Sequence, residues 1–335
     1  MVTLKDIARD CGVSVSVVSR ALNPQPDQQV APKTKRRVEE SMRRLGYHPN
    51  VSASLLARGR SAEVGVFLQR LRESLVAELA IGISEAAEQH DFHYRFFFNE
   101  RDDAYAHFID SVATTGCSGI LTYPVTSGCQ EVYDALERYS EKGGQVVLLN
   151  ANYKPHSPRI DLYLLDDEGG GELAAEHLLS CGCRQFRMCL PAYKSLYNSR
   201  RQRGYLRRLK AAGYTVECYP IHASGFHIYD VNELDAALPP PSTQPIGLFT
   251  PNDYLALSLM QRLVAAGRLG EVGRTIRLVG FDDNPAAACA CLPLTTIRHD
   301  LHHFGQSAMR VLIGKILGRQ EKMVFNRPTL IVRAT

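Results

Sequence analysis

The sequence predicts a two-part chain: an N-terminal all-α domain built on a helix-turn-helix and followed by a hinge helix, then a two-lobed α/β body of doubly wound parallel sheets. Three observations carry this expectation. Residues 3–23, TLKDIARDCGVSVSVVSRALN, spell two short capped helices around a glycine. From Glu63 onward, short apolar strands alternate with amphipathic helices, and eight such strands are a natural count for two lobes. Charge is also divided: residues 1–60 hold 11 Lys and Arg against 5 Asp and Glu, whereas the rest of the chain holds 28 against 30. A small basic head on a near-neutral body suits a partner rich in phosphate.

In the head, Leu4, Ile7 and Ala8 recur at helical spacing and Thr3 stands three residues before Asp6 as a capping pair, so a first helix is predicted to end near Cys11. Gly12 takes the positive φ of a tight turn. Ser14 caps a second helix, Val18 and Leu22 share its inward face, and Asn23-Pro24 stops it. Val15, Ser16, Ser19 and Arg20 then face outward, the layout of a helix pair that reads the major groove. The spacing also fits a plain helical hairpin. Pro32 opens a third helix with Val38, Met42 and Leu45 as its apolar stripe and Gly46 as its end. Lys33 and Thr34 lie at its start, where backbone N–H groups favour a phosphate; Lys35, Arg36, Arg37, Arg43 and Arg44 read mainly as solvated charge.

After Tyr47-His48-Pro49, the segment NVSASLLA at 50–57 is a capped stretch of about two turns, closed by Gly59. So short a helix is marginal alone and is expected to fold only when docked. Leu55 and Leu56 read either as its contact edge or as packing against the body.

Candidate strands in the body are Val64–Phe67, Tyr94–Phe98, Gly119–Tyr123, Val146–Leu149, Phe186–Leu190, Tyr214–Tyr219, Ile246–Thr250 and Ile276–Phe281. Helical stretches such as Leu75–His90, Glu172–Leu179 and Tyr254–Ala266 fall between them, and Val324–Val332 reads as a last strand. In such sheets ligands bind beyond the carboxyl ends of strands. Asn252 and Asp282 each follow a strand directly, and Arg201 near a helix start offers a planar fork of donors. Each of these residues also reads as a helix cap or structural hydrogen bond.

The composition excludes other classes. No apolar run approaches the ~18 residues of a membrane span, and no apolar leader opens the chain, so the cytoplasm is the expected compartment. The nine cysteines, including Cys181-x-Cys183 and Cys289-x-Cys291, form neither a disulfide framework nor a zinc pattern. There is no G-x-x-x-x-G-K-[ST] loop and no G-x-S-x-G elbow, and Gly169-Gly170-Gly171 lacks dinucleotide-binding spacing. His302-His303 with Asp300 reads as a solvated helix start. No enzyme activity, metal or cofactor is expected.

The head resembles the lactose-repressor (LacI) family of bacterial transcription regulators, and the resemblance continues through Val30, Thr34, Arg37-Val38, Leu45-Gly46-Tyr47 and Pro49-Asn50. In the body it is carried by Asp166-Asp167, Ala174-x-x-His177-Leu178, Arg201-x-x-Gly204-Tyr205, Asn252-Asp253, Val279-Gly280-Phe281-Asp282-Asp283 and Leu294-Thr-Thr-Ile297-Arg298. The resemblance implies a periplasmic-binding-protein-like body with a ligand between its lobes. Residues 1–48 would then bind DNA, 49–60 form the hinge and 61–335 sense effector and dimerise. The N-lobe would comprise about 61–168 and 294–321, with the return near Thr295–Gly318, and the C-lobe 169–293 and 322–335.

It also implies site residues. Val15, Ser16 and Arg20 would read bases, Arg20 suiting guanine O6 and N7 and Val15 a thymine methyl. Thr3, Ser14, Asn23, Lys33, Thr34 and Tyr47 would meet phosphates. Asn50, Ala53 and Leu56 would enter the minor groove, Leu56 as a wedge between base steps. Arg201, Asn252, Asp282, Asp283 and Asp166 would line the effector site. Two departures stand out. Ala31 replaces the Ser common before the third helix, and Gln69-Arg-Leu-Arg-Glu-Ser74 replaces an Asn-Pro-aromatic turn. Arg70 and Arg72 in that segment either hold an anionic effector or are exposed loop charges. The function so implied is a homodimeric repressor of near-palindromic operator DNA controlled by a carbohydrate. A solute-binding protein, an enzyme on the same fold and a regulator answering to a protein partner remain the alternatives.

Overall fold

The computed structural model describes residues 2–22, 30–47, 55, 61–69, 74–98, 102–123, 130–193, 195–225, 227–325 and 327–335. The chain divides into two compact units, Met1–Ala57 and Arg58–Thr335. Among the expected site residues, Asn23, Asn50, Ala53, Leu56, Arg70 and Arg72 lie outside the described residues.

The first unit holds α1 (Leu4–Cys11), α2 (Val15–Leu22) and α3 (Pro32–Leu45). Ile7, Ala8, Cys11, Val18, Ala21 and Val38 form its core, with Leu4, Leu22, Met42 and Leu45 packed around it. Gly12 and Gly46 take left-handed φ values of 58° and 64° and close α1 and α3. Asp10 binds Ser41 and Arg44 and so ties α1 to α3. Ala31 makes no side-chain cap, as its missing hydroxyl dictates, and Pro32 occupies the first turn instead.

The second unit runs β1 (Glu63–Leu68), α4 (Ser74–Gln89), β2 (His93–Phe98), α5 (Asp102–Thr114), β3 (Gly119–Tyr123), α6 (Gln130–Glu141), β4 (Gln145–Leu149) and β5 (Ile160–Tyr163). The chain then enters α7 (Asp167–Ser180), β6 (Gln185–Pro191), α8 (Leu196–Ala211), β7 (Glu217–Ile221), β8 (Ala223–Gly225), β9 (Ile228–Tyr229), α9 (Val231–Ala237), β10 (Ile246–Phe249), α10 (Asp253–Ala265) and β11 (Ile276–Val279). It ends with α11 (Pro285–Ala288), β12 (Thr296–Arg298), α12 (Leu301–Leu317) and β13 (Thr329–Ile331).

Two parallel sheets result, in the order β2-β1-β3-β4-β5 and β7-β6-β10-β11. Both lobes therefore place their second strand outside the first and step the other way for the third. That reversal opens a crevice at the carboxyl ends of the strands. One core lies between the first sheet and α5 and α6, through Phe67, Phe108, Ile109, Leu136 and Leu148. On the other face, α12 packs along α4 and against β3 and β4. In the second lobe Leu248, Leu255, Leu259 and Leu278 form one core and Phe186, Tyr205, Phe249 and Phe281 another.

Several expectations change. Tyr214–Tyr219 is displaced: the strand starts at Glu217, because Gly213 at φ 84° and the Tyr214 N–H to Leu209 carbonyl bond (3.0 Å) still belong to the end of α8. The helix expected from Glu172 begins at Asp167, capped by Asp166 accepting from Gly169 N–H at 2.9 Å. Two of its three glycines serve close packing, since a β-carbon on Gly171 would meet the Arg201 carbonyl and one on Gly170 the Phe281 ring, while one on Gly169 would meet the capping Asp166. The expected strand Val324–Val332 contracts to Thr329–Ile331, following the buried Pro328, which has no N–H to donate. The strand Ile276–Phe281 stops at Val279, before Gly280 and the positive-φ residue Asp282. Thr296–Arg298, expected in the returning segment, pairs antiparallel with β13 and packs on α7, so the chain re-enters the first lobe only with α12.

Candidate nucleic-acid interface and effector cleft

In the head, Thr3 precedes α1 and donates both its N–H (2.9 Å) and its hydroxyl (2.7 Å) to the Asp6 carboxylate. Ser14 accepts from Val17 N–H at 3.3 Å and shares a 2.8 Å hydroxyl bond with Ser16. Val15 and Ser16 are exposed on the first turn of α2, and Arg20, one turn on, donates from Nε to the Ser16 carbonyl at 3.2 Å. These three side chains share one surface of α2, opposite buried Val18 and Ala21. Lys33 is exposed and Thr34 half-buried at the start of α3, where the Thr34 N–H bonds the Ala31 carbonyl at 2.9 Å. Tyr47 is half-buried against the head core, and that burial raises its phenol pKa.

The body's crevice is centred on Arg201, 6% exposed on α8. Its Nε donates to Asp167 Oδ1 at 2.9 Å, its Nη1 to the Pro251 carbonyl at 2.6 Å, and Nη1 lies 2.8 Å from Asp282 Oδ1. The guanidinium lies 3.7 Å from the Phe281 ring centroid and 5.2 Å from that of Tyr197. Asp167 is fully buried; burial raises its pKa, but the Arg201 charge and the neighbouring His299 outweigh this and the net shift is downward. Asp282 holds φ 105°, a strained value for a residue with a β-carbon, and its N–H donates to the Ile297 carbonyl at 2.7 Å.

Arg201 and Asp282 line a cavity of about 40 Å³ between the lobes. Tyr197 joins them from the second lobe; Leu75, Val76, Leu79 and Tyr123 face them from the first. His299, between β12 and α12, also lines it. At roughly 10–15 Å³ per water this is room for a few waters, so a sugar-sized ligand requires the lobes to part.

The other expected residues have different surroundings. Asn252 is buried and caps α10, its Oδ1 accepting from Leu255 N–H at 2.8 Å and from the Tyr229 hydroxyl at 3.3 Å. Asp283 is bound on one oxygen by Arg298 (2.7 Å) and on the other by Arg333 (2.5 Å). Asp166 is exposed as the cap of α7 and lines a neighbouring cavity. Beside them, Asp253 is buried, accepting from Thr296 Oγ1 at 2.6 Å and Asn284 N–H at 2.7 Å. Its burial, then the nearby Asp282 charge, push its pKa well above the carboxylate range.

Sequence reasoning missed Asp167, Tyr123, Tyr197 and His299. Asp167 was signalled within Asp166-Asp167, and Tyr197 stands four residues before Arg201, one helical turn away. Tyr123 and His299 had no such partner in sequence.

A helix-turn-helix head is followed by a two-lobed body with a polar crevice, and comparison with known proteins finds a match for each of these parts. Residues 3–50 match the profile of bacterial regulatory proteins, lacI family, and residues 175–335 that of a periplasmic binding protein-like domain. The chain thus carries a LacI-family helix-turn-helix domain and a periplasmic-binding-protein-like domain.

The HTH-type transcriptional repressor PurR of Aliivibrio salmonicida is 24% identical over 336 residues, covering 99% of this chain and 98% of that protein. Catabolite control protein A of Priestia megaterium is 26% identical over 314 residues, covering 93% of this chain and 91% of that protein. The transcriptional regulator CelR–cellobiose complex superposes with a TM-score of 0.68 at 22% identity, covering 100% of this chain and 99% of that one. The Lac repressor dimer bound to operator and the anti-inducer ONPF also gives 0.68, at 24% identity, with 100% and 98% covered. These solved structures establish the shared fold. Among the described residues no helix is long and apolar enough to cross a membrane, and no cluster of three or more His, Cys, Asp or Glu is placed to hold a metal ion.

Proposed function

We propose that the chain is a dimeric, sequence-specific repressor of transcription, acting on near-palindromic operator DNA in the cytoplasm, whose affinity is set by a carbohydrate in the interlobe crevice. The observation that carries the DNA half is the outward surface of α2, where Val15, Ser16 and Arg20 stand together on a basic head. In this reading Arg20 meets guanine, Val15 a thymine methyl, and Thr3, Ser14, Lys33, Thr34 and Tyr47 meet phosphates. Asn23, with the hinge residues Asn50, Ala53 and Leu56, belongs to the same proposal. For the effector, Arg201 and Asp282 form the polar pole of the crevice. Asn252 and Asp283 act through the caps and ion pairs that hold the crevice edge, and Asp166 stays at its margin; Arg70 and Arg72 belong to the same proposal.

A carbohydrate is supported by relatives of the same fold solved with cellobiose, ribose and D-xylulofuranose. The test is selection from a randomised duplex pool, with and without a sugar panel, followed by Arg20→Ala. Enrichment of a two-fold symmetric site is expected, and Arg20→Ala should cost about 1–3 kcal/mol on that site while leaving most binding to random duplex intact. Failure to enrich any site would refute the DNA half. A sugar panel that leaves both melting and operator affinity unchanged would refute the carbohydrate.

A further inference from the structure

Among the described residues three segments cross between the lobes: 164–166 between β5 and α7, 299–300 between β12 and α12, and 318–325 with 327–328 between α12 and β13. All three meet at a second cavity, of about 260 Å³, next to the one lined by Arg201. Leu165 comes from the first crossing, His299 from the second and Phe325 from the third, with Phe304 of α12 beside them. Phe325 is 52% exposed, its ring centroid 6.3 Å from that of Phe304. The rim carries Asp166 and Asp300, each committed to capping a helix, and the exposed Arg327.

His299 is the buried polar group of this cavity and also lines the Arg201 cavity, so it forms the partition between the two. Its Nε2 lies 3.5 Å from Asp167 Oδ1, and neither ring nitrogen makes a hydrogen bond among the described residues. Buried polar atoms are nearly always satisfied. Aromatic walls beside a buried imidazole with an unpartnered nitrogen suit a flat ring bearing a single donor.

We propose that this cavity at the lobe crossings is a second small-molecule site, for an uncharged planar aromatic with one hydrogen-bond donor, a phenolic or indolic compound. Its ring would lie against Phe304 and Phe325 and its donor on His299. Because the occupant touches all three crossings, it biases how the lobes rotate, giving the regulator an input separate from the effector crevice.

The chain contains no tryptophan, so Phe325→Trp is a unique reporter. Titration with phenol should change its emission saturably and raise the melting temperature of the wild-type chain, with toluene, which lacks the donor, about tenfold weaker. Leu164→Trp, at a residue that lines this cavity and not the Arg201 one, should remove the phenol-induced melting shift, whereas Asp282→Asn in the crevice should keep it. No saturable shift of the wild type with phenol or indole, or a shift that survives Leu164→Trp, overturns the site. Equal affinity for toluene overturns the contact to His299.

Discussion

Arg201 sits between two carboxylates with almost no access to water, and this decides what its removal costs. A buried ion stripped of its partner costs several kcal/mol, far more than an exposed pair contributes. Arg201→Ala should therefore lower stability by about 3–5 kcal/mol, read as a fall in urea midpoint at unchanged slope. A loss below about 1 kcal/mol would mean that Asp167 and Asp282 are not held by this guanidinium.

The two acids nearby have opposite pH behaviour. Asp167 has a lowered folded pKa, so its contribution is complete above the ordinary carboxylate range and fades as pH falls through the folded value. Asp253 has a raised folded pKa, so its contribution is complete below the ordinary range and fades as pH rises through the folded value. Asn at 253 still offers an acceptor to Asn284 N–H and a donor to Thr296 Oγ1. Asp253→Asn should then melt higher than wild type at pH 8, the gap closing towards pH 4; a lower melting temperature at pH 8 would contradict the assignment. Arg201 and Asp282 were legible because a helix start and a strand end place them. Asn252 was legible as a position but not as a role, since an amide before a helix suits a cap and a ligand equally.

At the scale of elements, α7 and α8 approach so closely that side chains are excluded at the contact. A β-carbon on Gly204 would meet the Glu168 carbonyl, just as one on Gly171 would meet that of Arg201. Backbone cannot yield as a flexible side chain can, so Gly204→Ala should cost about 1–3 kcal/mol, measured by urea unfolding. The sequence signalled Gly171 only as the absence of a nucleotide loop and Gly204 only through the family resemblance, because close helix packing needs no motif. Strands were read best where apolar runs are continuous, as in Val146–Leu149. β5 was missed because IDLY carries an acid and is half-exposed, and β12 because it is three residues long, whereas β13 was read but too long.

For the whole molecule, each unit has its own core. Ile7→Ala, at a fully buried position of the head, should destabilise that unit by about 2–5 kcal/mol. In calorimetry the head transition should move while that of the body stays; a body transition that moves with it would show one shared cooperative unit. The division into head and body was legible from charge and periodicity, whereas the lobe boundary at β12 was not, since pairing with β13 spans the interval from Thr296 to Ile331.

The placement of α12 also sets an order of assembly. The first sheet ends with β5 at Tyr163, yet the helix that covers one of its faces runs to Leu317. At ribosomal speeds of about 5–20 residues per second, that apolar face waits on the order of 10–30 s for its cover. During synthesis the first lobe thus stays unfinished until nearly all of the second has been made.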